Sequence, residues 1–198
     1  MLTTATTGSV IQENIEASVA VLQTMLADRE ILRGIEEAAE MILEAIRKDG
    51  RIYLAGNGGS AACAQHIAAK FLGQNQIKRR AIPALALAAN TSAVTSIGNN
   101  QGFDHVFARQ IEAFARPGDV LIAISASGDS RNVLRAVLMA SALRVKTIAW
   151  TGRTGGKLKN AVDLCLCAPT SEVLRVQEAH LLLGHAISEF VEAGLRRR

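Results

Sequence analysis

The stretch Ile52-Tyr53-Leu54-Ala55-Gly56-Asn57-Gly58-Gly59-Ser60 most constrains the fold of this 198-residue chain. An apolar, β-prone run halts in a loop with three glycines in four positions, and a helical pattern follows. The order is strand, loop, helix start. Glycines there permit positive φ and close approach of backbone to a ligand. Ser60 is placed as the helix cap, with the first free N–H groups and the positive dipole end facing the loop, a recipe for holding phosphate or carboxylate. Turns of this kind also occur with no ligand, so the loop alone does not decide.

The chain is long enough for one buried domain and short for two. Residues 1–198 therefore read as a single domain, with a helical extension over 1–50, an α/β core over 51–170 and a terminal helix over 171–195. Composition agrees: 49% of residues are hydrophobic but only 4% aromatic, a profile suited to helices packed on a buried parallel sheet. No apolar run approaches the roughly 18 residues of a membrane span, and the N-terminus lacks the basic-then-apolar order of a signal peptide. A cytoplasmic protein without membrane contact is expected.

The net charge of +4 owes three charges to Arg196-Arg197-Arg198, a solvated tail rather than a nucleic-acid surface, which needs a basic stripe with stacking aromatics. The three cysteines have no metal-type pairing. Cys165-Leu166-Cys167 alternates along a strand and turns both thiols to one face, as reduced, buried small hydrophobes.

Residues 9–28 and 31–48 carry apolar residues at helical spacing (Val10, Ile11, Ile15, Val19, Leu22, Leu26; then Ile31, Ile35, Ala38, Ile42, Ile46), and Gly50 is placed to close the second helix in a left-handed conformation. No strand precedes this hairpin, so its apolar stripes can pack on another subunit as readily as on their own core. After the opening loop come a helix over 60–73, a strand over 82–88, and a short helix over 91–98 capped by Asn90 or Thr91. A polar turn Asn99-Asn100-Gln101-Gly102 and a helix over 106–114 follow. Strands over 120–125, 145–150 and 164–168 alternate with helices over 133–143 and 157–161, and a long helix over 172–195 ends the chain. Strands separated by helices of ten or more residues imply a doubly wound parallel five-stranded sheet, with ligands beyond the carboxyl ends of its strands.

A second strand-loop-helix unit lies at that end. Ser125-Ala126-Ser127-Gly128-Asp129-Ser130 offers three hydroxyls and a helix start, a neutral donor cluster able to wrap a phosphate. His66 and Lys70 share a face of the helix after the glycine loop. Gln177, His180 and His185 interrupt the apolar terminal helix, Gln177 and His185 lying two turns apart and about 80° around its axis. Any one of these histidines reads as well as a core residue; together they point to a shared site, with metal ligation and substrate contact equally open.

The run from Gly56 to Ala62 followed by Ala64-Gln65-His66 resembles the sugar isomerase (SIS) domain of the phosphoheptose isomerase group. So do Ser125-Ala126-Ser127-Gly128 with Ser130, Thr151-Gly152 with Gly155-Gly156, and Arg175-Val176-Gln177-Glu178 with His180 and His185, over roughly residues 10 to 193. The resemblance implies a flavodoxin-like sandwich and a homotetramer joined through the terminal helices, with sites formed between subunits. It also implies conversion of sedoheptulose 7-phosphate to a heptose 7-phosphate for bacterial surface heptose, often with zinc and without a nucleotide cofactor.

By the same resemblance, Ser60, Ser125, Ser127 and Ser130 hold the phosphate, and Asn57, Gly58 and Gln177 contact substrate. His66, Gln177 and His185 occupy three of four zinc positions, and His185 also transfers protons. The chain departs from the group where a catalytic glutamate stands: the residue is Lys70, which ligates no zinc while protonated and is a poor base unless desolvated. An isomerase here uses His185 in proton transfer, with either Lys70 or a recruited group as the base. Cys63 replaces an acid, Gln74 an arginine, and Asn99-Asn100 an Asn-Asp pair. The alternative to an isomerase is a sugar-phosphate-binding regulator with a protein partner, as in replication-initiator-associating relatives that lack the glutamate. An isomerase that borrows the missing groups from an intact paralogue in mixed tetramers is a third possibility.

Overall fold

A computed structural model describes residues 7–73 and 78–196; residues 1–6, 74–77, 197 and 198 lie outside it. Among the described residues, five parallel strands form one sheet in the order β2-β1-β3-β4-β5. They are β1 (Ile52–Gly56), β2 (Ala84–Ala86), β3 (Val120–Ser125), β4 (Lys146–Thr151) and β5 (Leu164–Cys167). The helices are α1 (Thr7–Ala27), α2 (Arg29–Arg47), α3 (Gly59–Leu72), α4 (Thr91–Gln101), α5 (Ala108–Phe114), α6 (Arg131–Ala142) and α7 (Val173–Leu195). The doubly wound α/β sheet, the N-terminal hairpin and the long terminal helix are all present.

The strands read as continuous apolar runs because both faces of the sheet are covered. Ile52, Leu54, Ile122, Ile124, Ile148 and Trp150 pack against α2, α3 and α7 on one face. Tyr53, Ala55, Leu121, Ala123 and Ala149 meet α5 and α6 on the other. The hairpin splits its roles. Asp28 caps α2 by accepting from Glu30 N and Ile31 N, and α2 buries Ala38, Ala39, Ile42, Leu43 and Ile46 in this chain's own core. Val10, Ile11, Ile15, Val19 and Leu26 of α1 stay exposed.

Element boundaries otherwise fall within two residues of the sequence reading, with four informative differences. The strand expected over 82–88 shrinks to Ala84–Ala86 because Pro83 has no N–H to donate and the Ile82 N–H turns to Phe71 O, leaving a short edge strand. The helix expected to stop at Gly98 runs to Gln101 and absorbs the Asn99-Asn100 turn; Asn90 caps it, and Gly102 at φ 89° ends it. The left-handed residue after α2 is Asp49, at φ 59°, rather than Gly50. Gly50 is needed for a different reason: a Cβ there would lie 2.5 Å from Gly118 O. Finally, α3 starts at Gly59 with Gly58 at the cap position, φ 52°, so Ser60 is buried in the first turn and no side chain caps the helix. The Asn57 carbonyl accepts from Ser60 N and Ala61 N, and the chain reverses one residue earlier than a serine cap requires.

The thiols of Cys165 and Cys167 do share a face, 3.7 Å apart and half-buried beside Thr151. Their contact splits them: hydrogen bonding between the two lowers Cys167 to about 6 while the Cys165 thiol is pushed up. Burial raises the Cys63 thiol to about 11.

The inner face of α7 holds His180 and Gly184. His180 is fully buried, its Nε2–H donates to Thr151 O at 3.1 Å, and burial pushes its pKa down to about 4. It is a core histidine rather than part of the polar cluster suggested by its neighbours in sequence. Because the folded protein resists protonating it while the unfolded chain titrates at the ordinary 6.5, its contribution to stability is complete above pH 6.5 and is lost as pH falls toward 4. The loss is on the order of 3 kcal/mol. Denaturant titrations between pH 7 and 4 are expected to show this component in the wild type and to miss it in His180→Gln. Gly184 lets α7 approach α3 so closely that an added Cβ would collide with Ile67 Cδ1. Gly184→Ala is expected to lower stability by about 1–3 kcal/mol, read as a reduced urea midpoint at unchanged slope.

Candidate functional site

The order β2-β1-β3-β4-β5 has its switch point between β1 and β3, where the outgoing connections part to opposite faces and leave a crevice at the carboxyl ends. The two polar loops flank it. Gly56 ends β1 and pairs with Ile124, one residue before Ser125 ends β3. Asn57 to Ser60 therefore stand beside Ala126 to Ser130.

In the second loop three hydroxyls converge. Ser125 Oγ lies 3.0 Å from Ser130 Oγ and 3.4 Å from Ser127 Oγ. Gly128 N donates to Ser125 Oγ, and Asp129 N donates to Ser127 Oγ. Ser130 is the first residue before α6 and makes no capping bond with its side chain, so its hydroxyl stays with the cluster. The loop rests on the turn after β4: Gly152 N donates to Ala126 O, Leu158 N to Gly128 O and Lys157 N to Asp129 Oδ1. Glycines make this approach possible. A Cβ on Gly128, at φ 72°, would collide with Gly155 O, and one on Gly156 with Ser127 O. The Gly155-Gly156 motif thus shapes the serine loop from below.

The first loop is tied to the second by side chains. Asn57 and Asn132 face each other as paired amides, Asn57 Nδ2 donating to Asn132 Oδ1 at 2.9 Å and Asn132 Nδ2 to Asn57 Oδ1 at 2.8 Å. Asn132 is a buried residue that the sequence reading missed, since its partner lies 75 positions away and its setting in Ser-Arg-Asn-Val looks like any helix start. At the start of α3, Gln177 of α7 packs against Gly59, where a Cβ would lie 2.5 Å from Gln177 Oε1.

Between α3 and α7 a cleft of about 550 Å³ opens, lined by Gly59, Ala62, Cys63 and His66 on one side and Arg175 and Gln177 on the other. Beside it the two sequence-predicted histidines meet. His66 Nε2 lies 2.8 Å from His185 Nε2, with the rings at 61°. Two ring nitrogens at that distance share one proton, one donating and the other accepting. Burial, His185 and the Lys70 ammonium, in that order, lower the pKa of His66.

Lys70 stands one turn further along α3, half-buried. Arg79 closes that end of the helix: its guanidinium donates to Lys70 O and Phe71 O and pairs at 2.9 Å with the buried Glu192 of α7. No motif marked Arg79. Gln74, the other residue in doubt near this helix end, is outside the described residues.

The donor set does not fit zinc. His66 and His185 engage each other, the third donor is the neutral amide of Gln177, and Lys70 brings a cation where an anionic fourth donor is needed. Among the described residues no three His, Cys, Asp or Glu side chains are grouped to hold a metal ion.

Comparison with known proteins agrees with this architecture. A family profile described as SIS domain matches residues 15–152. The phosphoheptose isomerase of Aneurinibacillus thermoaerophilus is 42% identical over 187 residues, 94% of either chain. That of Clostridium acetobutylicum is 41% identical over 185 residues, 93% of this chain and 94% of the relative. The solved phosphoheptose isomerase from Neisseria gonorrhoeae superposes with a TM-score of 0.89 at 39% identity, covering 95% of this chain and 100% of that one. One from Francisella tularensis gives 0.88 at 33% identity, over 94% and 98%. With a fold and a sequence shared along nearly its whole length, the chain belongs to the phosphoheptose isomerase group of the SIS domain family.

Proposed function

We propose that the protein is an aldose-ketose isomerase that converts sedoheptulose 7-phosphate to a heptose 7-phosphate for bacterial heptose synthesis. The observation that carries this reading is the His66–His185 pair at 2.8 Å beside the α3–α7 cleft. Similarity to phosphoheptose isomerases over 94% of the chain supports it. The serine cluster Ser125, Ser127 and Ser130, with Ser60 and Gly58 at the start of α3, takes the phosphate through neutral donors and a helix N-terminus. Asn57 and Gln177 contact the sugar.

The isomerisation moves one carbon-bound proton from C1 to C2 and one hydroxyl proton from O1 to O2, through an enediolate. The substrate's composition and overall oxidation level are unchanged and no hydride leaves it, so no nucleotide cofactor is required. The work needs an acid and a base side by side. A histidine pair sharing one proton supplies both: the unprotonated Nε2 takes the proton from carbon while the protonated one serves the carbonyl oxygen. His185 carries the carbon-bound proton and His66 the hydroxyl proton. Lys70, one helical turn from His66, is no longer a base, and its ammonium stabilises the negative charge that develops on the enediolate. No step is assigned to a metal.

The chain acts as one domain, residues 51–170 forming the core between the hairpin and α7, in a cytoplasmic homotetramer. The exposed Val10, Ile11, Ile15 and Val19 of α1 and Leu174, Leu182 and Phe190 of α7 are the apolar surface such an assembly covers. None of the described helices is long and apolar enough to cross a membrane.

Native mass spectrometry is expected to show four chains, and a monomer would refute the assembly. In an assay following sedoheptulose 7-phosphate by mass-resolved chromatography, the wild type is expected to form the aldose. His185→Gln should lose about 10²- to 10⁴-fold in kcat, and Lys70→Met about 10- to 10²-fold. A wild type inert at saturating substrate, with and without zinc, would leave the protein a sugar-phosphate-binding regulator.

A further inference from the structure

We infer that Asn132 is a positioning residue for the proposed isomerisation, holding the Asn57 amide so that it presents a fixed hydrogen-bond donor to a sugar oxygen. The inference rests on the isomerase reading for its substrate and on hydrogen-bond accounting for its geometry.

Val133 N donates to Asn132 Oδ1 at 2.9 Å. A backbone N–H has nothing to accept with, so the Asn132 atom facing it is oxygen and the other is Nδ2. Nδ2 in turn donates to Asn57 Oδ1 at 2.8 Å, and Asn57 Nδ2 returns a bond to Asn132 Oδ1 at 2.9 Å. The start of α6 therefore dictates the orientation of one amide, and that amide dictates the next. Asn132 is only 3% exposed, so water does not compete for its bonds. Asn57 is half-buried at the end of β1 and keeps one N–H outside the pair. That N–H is the donor offered to a ligand seated between the serine cluster and the α3–α7 cleft. A buried, fully bonded amide costs little reorganisation when the ligand arrives, which is the condition for strong positioning.

The test is a double-mutant cycle. Asn132→Asp keeps size and an acceptor for Val133 N–H but sets an oxygen against Asn57 Oδ1. In the otherwise wild-type protein it is expected to lower kcat/KM by about tenfold or more; in an Asn57→Ala background the same change should cost less than about twofold. Affinity for inorganic phosphate, measured by calorimetry with the uncharged Asn132→Ser in place of Asn132→Asp, should agree within about twofold across the four proteins, because the serine cluster bonds within itself and the amides with each other. An equal loss in both backgrounds, or a fall in phosphate affinity confined to the Asn132 variants, would overturn the inference. Should Asn132→Asp fail to fold, Asn132→Ser carries the same cycle. If the wild type turns over no ketose phosphate, it is the isomerase reading that fails; the cycle read as sedoheptulose 7-phosphate affinity then decides on Asn132 alone, with the same non-additivity expected and equal losses refuting it.

Discussion

An open parallel sheet covered by helices on both faces must reverse the direction of its crossovers, and the place where β1 sends its neighbours to opposite sides governs this molecule. The chain leaves β1 through α3 on one face, pairs β2 at the edge, and returns by α4 and α5 on the opposite face to lay β3 on the other side of β1. Right-handed crossovers leave little freedom in this path. The crevice between the ends of β1 and β3 is its by-product. The two polar loops sit at that crevice, held to each other by the Asn57–Asn132 amides and, beneath the serine loop, by main chain against main chain where glycine removes a Cβ.

The chemistry of the site is that of neutral donors around a single mobile proton. Three serine hydroxyls cluster beside a helix start, and paired amides and paired imidazoles bond to each other. In that setting one added cation is felt by the imidazole beside it. Lys70 lies close enough to lower the pKa of His66 further, after burial and the second imidazole. The same charge weakens the site as a metal site and strengthens it for an oxyanion. A carboxylate at that position would do the reverse on both counts.

What the sequence disclosed was local. An apolar run, three glycines and a helical period are contiguous signals, so β1, β3, their loops and the pairing of His66 with His185 could be anticipated from spacing and resemblance. Contacts between distant residues could not. Asn132 meets Asn57 across 75 positions, Arg79 meets Glu192 across 113, and neither pair carries a pattern in its own neighbourhood. Local rules also misassigned residues whose roles are set by neighbours: a serine after three glycines looks like a cap but is carried into the first turn, and Gly50 looks left-handed but is a point of contact with Gly118. His180 and His185 look alike in sequence. One is buried with its Nε2 on Thr151 O at the end of β4, the other faces α3.

The difference between those two histidines follows from the rotation of α7. At about 100° per residue, His180 and Gly184 lie some 40° apart on the face turned to the sheet and α3, while His185 turns about a further 100° from Gly184 toward the cleft. Gly184 sits against Ile67, the residue after His66, and its missing side chain sets how near α7 comes to α3. The imidazoles meet at 2.8 Å one residue along each helix from that contact. A wider spacing between the helices at that contact lengthens the distance between the two nitrogens. The proton shared by the pair thus depends on a glycine that touches neither ring.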